Sequence, residues 1–432
     1  MIRRLFLFTF IFVLIEADAF AQPVTDDLMK TILNSVQQSV TQKIIENPNE
    51  YRVQIIYTQI DRTKKGRPVF KNYHFNVDSD LYFNPASMVK MPLAFLSLEK
   101  LNELNKPGVN KFTRMVYDSN YVRQVAMKND SSAEFGYPSI AHFIKRSLLI
   151  SENDPYNRMY QFLGQQDANR KLVEKGYSSS RITRQFMGYT EEQNRHTNGI
   201  KFLDKEGKII YTQSPQFNTD SFSFPTQILI GNAHINREDQ LVNSPFDFTK
   251  HNNISLEDMR KMVQAVVFPE SVEKKNRFNI SEEDRLFLLQ YMSQYPSETN
   301  YPKYDTTIFY DSYVKFFFGD STHTMPNHIR VFNKVGWAYG FMTDVSYVID
   351  TKNNIDYMLA ATVYVNSDGV VNDSKYDEET VGFPFFEQIG RAFYEYDLHR
   401  KRPYQPQLKN QVQSYEKRDP LDKRPSIKQA DN

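Results

Sequence analysis

Hydrophobic positions recur with a helical period at the front of this chain and a period of two near its end. From Asp26 to Asn47 the residues Leu28, Ile32, Val36, Val40 and Ile44 return every four positions, which predicts one amphipathic helix. Tyr51–Asp61 and Pro68–Val77 predict two strands joined as a hairpin by the polar turn RTKKGRP. Phe83–Leu101, FNPASMVKMPLAFLSLEKL, predicts a helix that is apolar on most faces, with Pro85 near its start where a missing N–H costs nothing. Helical patterns continue to about Glu174. Ile200–Gln213 reads as a second hairpin turning at Lys205-Glu206-Gly207. Ser255–Val267 and Ser281–Tyr291 read as helices, each with a serine N-cap followed by acidic residues.

His328–Val335, Thr343–Asp350 and Ile355–Asn366 then predict three successive strands, the last two joined by the tight turn TKNN, and Phe383–Tyr396 a closing helix. Strands at both ends and helices between predict an α/β (α+β) fold. A single antiparallel sheet is built from both chain ends and flanked by helices, with an all-helical subdomain inserted at about 85–327. Beyond about Lys401 the chain is rich in Pro, Lys and Gln and poor in large aliphatics, which predicts a disordered tail over 401–432.

The first residues change the compartment. Arg3 and Arg4, an apolar run from Leu5 to Ile15, and Ala19-Phe20-Ala21 together predict a signal peptide over 1–21. The expected product is an exported protein, periplasmic or secreted, with one domain over 22–400 and no later segment apolar for long enough to span a bilayer. With no cysteine there is no disulfide, no thiolate metal site and no thiol nucleophile. The 8 histidines show no compact ligand spacing, and neither a metal nor another cofactor is expected. With 53 basic and 52 acidic residues the net charge is +1, so the chain has no electrostatic footprint for nucleic acid.

Chemistry enters through a serine and a lysine three residues apart. A serine hydroxyl becomes a useful nucleophile when a base takes its proton, and a lysine serves as that base once burial or a nearby cation lowers its pKa. Ser-x-x-Lys occurs at Ser87, Ser97, Ser271, Ser312 and Ser414, and of these only Ser87–Lys90 lies in so apolar a helix start. Two further motifs follow in order. Ser151-Glu152-Asn153 is the one Ser-x-Asn in the chain, at a predicted helix start, and Lys334-Val335-Gly336 lies on a predicted strand.

These three elements, in this order, resemble those of the class A β-lactamases and penicillin-binding proteins, over roughly residues 53–394. The resemblance implies an active site at the junction of sheet and helical subdomain. It implies Ser87 as acylated nucleophile, Lys90 as its base and Ser151 as proton relay to the leaving nitrogen. Asn153 would hold the substrate's amide side chain and Lys334 would attract its carboxylate. The oxyanion hole would be the backbone N–H groups of Ser87 and of Trp337, which follows Gly336. The implied partner is a small-molecule β-lactam or a cell-wall peptide, taken by a monomer.

Two positions depart from the family pattern. Val335 stands where the family carries a hydroxyl. Gly176–Phe186 resembles the start of the loop that carries the deacylating glutamate of class A enzymes, and Phe186 takes that glutamate's place; Glu191 and Glu192, a few residues on, are the candidates to replace it. Three functions stay open: a β-lactam hydrolase, a peptidase or esterase with slow deacylation, and a binding protein without catalysis.

Overall fold

The computed structural model describes residues 23–320 and 322–430; the expected signal peptide lies outside them. The first helix is two. Asp27–Asn34 (α1) and Ser39–Glu46 (α2) are separated by a turn, so the four-residue repeat through Val36 continues across a bend. Gln54–Arg62 (β1) and Pro68–Phe75 (β2) form the expected hairpin. A 3-10 turn, Ala86–Val89, leads into Lys90–Leu104 (α3), of which eleven residues are buried.

The region that follows is mainly helical. It holds Ile140–Leu149 (α4), Asn153–Leu163 (α5), Gln165–Glu174 (α6) and Glu191–Arg195 (α7). It also carries small sheets. Arg114–Tyr117 (β3), too short to show a period of its own, joins the hairpin Ile200–Leu203 (β4) and Ile209–Gln213 (β5). Leu229–Ile230 (β6), Ala233–Ile235 (β7), Leu241–Val242 (β8) and Phe246–Asp247 (β9) form a small lobe before Leu256–Val267 (α8) and Glu282–Ser293 (α9). Ser255 and Ser281 cap these two helices, each accepting from a backbone N–H three residues on, as their spacing predicts.

Ile329–Ala338 (β10), Phe341–Asp350 (β11) and Ile355–Tyr364 (β12) complete the main sheet, in the order β10-β11-β12-β1-β2, antiparallel throughout. Val370–Val371 (β13) pairs with β7, and Phe383–His399 (α10) closes the fold. Both sheet faces are covered. Ile56, Phe332, Val345 and Met358 face a core shared with α3, α8 and α9, whereas Val53, Tyr57, Val335 and Val363 face one shared with α1 and α10. All ten residues of β11 are therefore buried, although they alternate between two cores.

The segment after His399 corrects the expectation of a disordered tail. Arg418 donates to the carbonyls of Pro296, Thr299 and Tyr304, and Lys145 donates to Glu416 at 2.9 Å. Charged side chains bonded to backbone carbonyls fix this stretch, and low aliphatic content does not register them. No helix among the described residues is long and apolar enough to cross a membrane.

Candidate active site

The 3-10 turn decides where Ser87 points. Such a turn eclipses residues i and i+3, so Ser87 Oγ stands directly over the first residue of α3 and lies 2.8 Å from Lys90 Nζ. Ala86, just before it, is held at φ 44°, a conformation costing an alanine about 1–3 kcal/mol, and its N–H is secured by Asn84 Oδ1 at 2.8 Å.

Lys90 is fully buried. It touches Ser151 O and Asn153 Oδ1, the latter at 2.7 Å, so Ser-x-Asn is brought onto Ser-x-x-Lys. Ser151 links α4 to α5 at φ 71°, and that turn aims both its carbonyl and its hydroxyl at the lysine. Burial, then the neighbouring Lys334, hold the Lys90 ammonium well below the ordinary lysine range, against a smaller opposing pull from Glu152. A neutral amine fits these contacts: its N–H groups donate to Ser151 O and Asn153 Oδ1, and its lone pair accepts from Ser87.

Lys334 comes from β10, the edge strand. Its Nζ donates to Ser151 Oγ at 2.8 Å and to Val335 O at 2.7 Å. Burial lowers it to about 7, although Asp344 pulls the other way. Val335 turns to the opposite core and is fully buried, so its side chain packs beneath the sheet. Gly336 lets β10 close on the turn that carries Ser87: a Cβ there would stand 2.4 Å from Pro85 O and 3.0 Å from Met88 N. Gly336→Ala should therefore cost about 1–3 kcal/mol of stability by forcing strand and turn apart. It should also slow any chemistry at Ser87 about 100-fold. Thermal melts and labelling rates check both, and an unchanged labelling rate would count against this alignment.

Glu152, between the two motif residues, faces away from the cleft. Its carboxylate accepts from Arg146 Nε at 3.0 Å and from Tyr304 OH at 2.6 Å, and Arg146 also reaches Asp130 at 2.9 Å. This buried network fixes the turn that carries Ser151.

The cleft has a volume of about 670 Å³. Ser87, Ser151, Asn153, Phe186 and Trp337 line it. The Phe186 ring lies 5.2 Å from Lys90 Nζ and stacks on Tyr156 at 4.5 Å, and its backbone N–H is held by Asn157 Oδ1 at 2.8 Å. Glu191 and Glu192 do not come back to it, which corrects the expectation for both. The capping box of Thr190 and Gln193 starts α7 so that its first turn faces solvent. Glu191 there pairs with Lys250 at 2.7 Å and Glu192 with His196 at 3.3 Å. No Asp or Glu is among the described residues that line the cleft.

Sequence reasoning missed the opposite wall: Arg184, Arg237 and His251, with Tyr339, Asn372 and Tyr376. The segment between α7 and α8 builds much of it, and Phe246, Phe248 and His251 pack on Tyr339 to hold the segment against β10. The aromatic side chains of Phe246, Phe248 and His251, interspersed with polar residues, were the one available signal, and they carry no motif.

Among solved structures, a beta-lactamase from Sphaerobacter thermophilus is 12% identical, with 82% of this chain and 95% of that one covered at a TM-score of 0.42. One from Desulfarculus baarsii is 13% identical, with 82% and 96% covered and a TM-score of 0.45. One from Xanthomonas campestris is 10% identical, with 84% and 98% covered and a TM-score of 0.47. No curated protein matches the chain. The pattern of the beta-lactamase enzyme family, in contrast, matches residues 38–396, from α2 through all five strands of the main sheet and into α10, and the chain belongs to that family.

Proposed function

We propose that this chain is an exported serine hydrolase that opens a β-lactam or a related amide by acylating Ser87 and releases the acyl group slowly. The observation that carries the proposal is the 2.8 Å approach of Ser87 Oγ to a fully buried lysine whose charge is disfavoured by burial and by Lys334. Ser87 Oγ attacks the carbonyl carbon as its proton passes to Lys90 Nζ. The N–H groups of Ser87 and Trp337 receive the oxyanion. As the C–N bond breaks, the Ser151 hydroxyl protonates the leaving nitrogen and is reprotonated from Lys90. Asn153 orients the substrate amide, and Lys334 attracts its carboxylate.

Slow release is supported by the absence of any carboxylate among the described cleft residues and by Phe186 over Lys90. The ester on Ser87 meets water with no carboxylate among the described lining residues to activate it, which favours the slowly deacylating reading over rapid turnover.

Intact-mass spectrometry with benzylpenicillin tests this. The wild type should gain one adduct, persisting for minutes or longer, and Ser87→Ala none. Wild type without adduct or turnover would remove the proposal. The pH dependence follows from the signs. Acylation rises with pH as Lys90 loses its proton, below the ordinary lysine range. Lys334 is charged below about 7 and neutral above it. Capture of the penicillin carboxylate should therefore weaken above that pH, whereas capture of the corresponding methyl ester should not.

A further inference from the structure

The cleft holds more positive charge than acylation uses. Its wall carries Arg184 and Arg237, and no carboxylate is among the described residues that line it; Glu191 and Asp247 line the adjacent cavity that the same two arginines border on their other side. Arg184 is firmly held. Its backbone N–H donates to Asn252 Oδ1 at 3.0 Å, and its carbonyl accepts from Tyr156 OH at 2.7 Å. Its Nη1 stands 2.7 Å from His251 Nε2.

That contact fixes the state of the histidine. Burial, then Arg184 itself, hold His251 at about 3, so the imidazole is neutral and Nε2 accepts the guanidinium N–H. A neutral acceptor aims the arginine without cancelling its charge, and most of its donor fork stays available. Lys250, on the same stretch of chain, is by contrast paired with Glu191. The exposed Arg237 side chain makes no hydrogen bond or ion pair to a described residue. Two arginines converging on one cavity, one of them aimed by a neutral histidine, form a receptor for a planar anion.

We propose that Arg184 and Arg237 form a subsite for a carboxylate on the acyl side chain of the substrate, so that the preferred substrate is an amide whose acyl group is itself anionic, such as an acidic acyl-peptide. The assignment of that group to the acyl side rests on the hydrolase reading; the recognition of a carboxylate does not. Arg184, Phe186, Met187 and Gly188 and the end of β10 line the same cleft as Ser87, so a side chain extending from an acyl group on Ser87 runs between them.

The test uses benzylpenicillin and its α-carboxy derivative, which differ by that one group. Trp337 is the only tryptophan and lines the cleft, so its fluorescence reports binding. In Ser87→Ala protein, where no ester forms, the carboxylated probe should bind about tenfold tighter. Adding Arg184→Gln and Arg237→Gln should bring the two affinities to parity. Arg237→Gln alone, at an exposed position that leaves the fold untouched, should remove about threefold of the preference. Equal affinities in the Ser87→Ala parent, no saturable binding of the carboxylated probe, or a preference that survives both arginine substitutions would overturn the subsite. Mass spectrometry of the wild type is read separately: a binding preference without any adduct upholds the subsite and removes the hydrolase reading.

Discussion

Lys90→Met should lower the rate constant for acylation of Ser87 by about 100- to 10,000-fold, the range general-base catalysis supplies. Methionine keeps the length and apolar stem of the lysine inside α3, so packing around Met91 and Phe95 is retained while the proton acceptor is lost. Lys90→Arg separates a base from a mere cation. Arginine stays protonated in proteins and cannot take the serine proton, so it should not rescue the rate. If charge alone mattered, arginine would restore most of it. Time-resolved mass spectrometry of the adduct gives the constant directly, and a methionine variant within threefold of wild type would mean that another group takes the proton.

Phe186→Glu should have the opposite effect on the second half of the reaction. The backbone at 186 is already held by Asn157, and its side chain already reaches the space beside Lys90. A carboxylate from that position can activate water next to the ester, and the adduct should hydrolyse about 100-fold faster. Two costs accompany the gain. Losing the stack on Tyr156 removes about 0.5–1.5 kcal/mol. The new negative charge also favours the charged form of Lys90, so acylation slows. The signature is a shorter adduct lifetime with slower labelling. A folded variant with an unchanged lifetime would show that something other than a missing base limits release.

Half of this site can be read from sequence because half of it is local. Ser87 and Lys90 need a fixed spacing on one turn, Ser151 and Asn153 need a helix start, and Lys334 needs a strand beside a glycine. Each requirement leaves a short pattern. Arg184, Arg237 and His251 line one cleft because three separated loops border it, and no spacing records that. The same distinction explains the fold. β1, β2 and β10–β12 alternate with a period of two or run continuously apolar, whereas β3 and β6–β9 hold two to four residues each, too few for a pattern. The bend between α1 and α2 lies within an unbroken apolar repeat, and the course of residues 400–430 depends on arginine and lysine reaching carbonyls far away in sequence. Glu191 and Glu192 were close enough in sequence to suggest the cleft, but a capping box turned them outward.

The pairing of Ile56 with Ala360 in the middle of the main sheet also governs how the molecule can come into being. β1 and β2 are made first and can pair at once, but the open side of β1 has no partner until β12 has been synthesised. The Ser87 turn, the helices and the insertion all emerge during that interval with no completed sheet to pack against. So non-local a topology makes folding slow, and the first hairpin stays an unprotected edge while it waits. Assembly of the edge strand β10 against the Ser87 turn in a completed sheet therefore waits until β12 has been made.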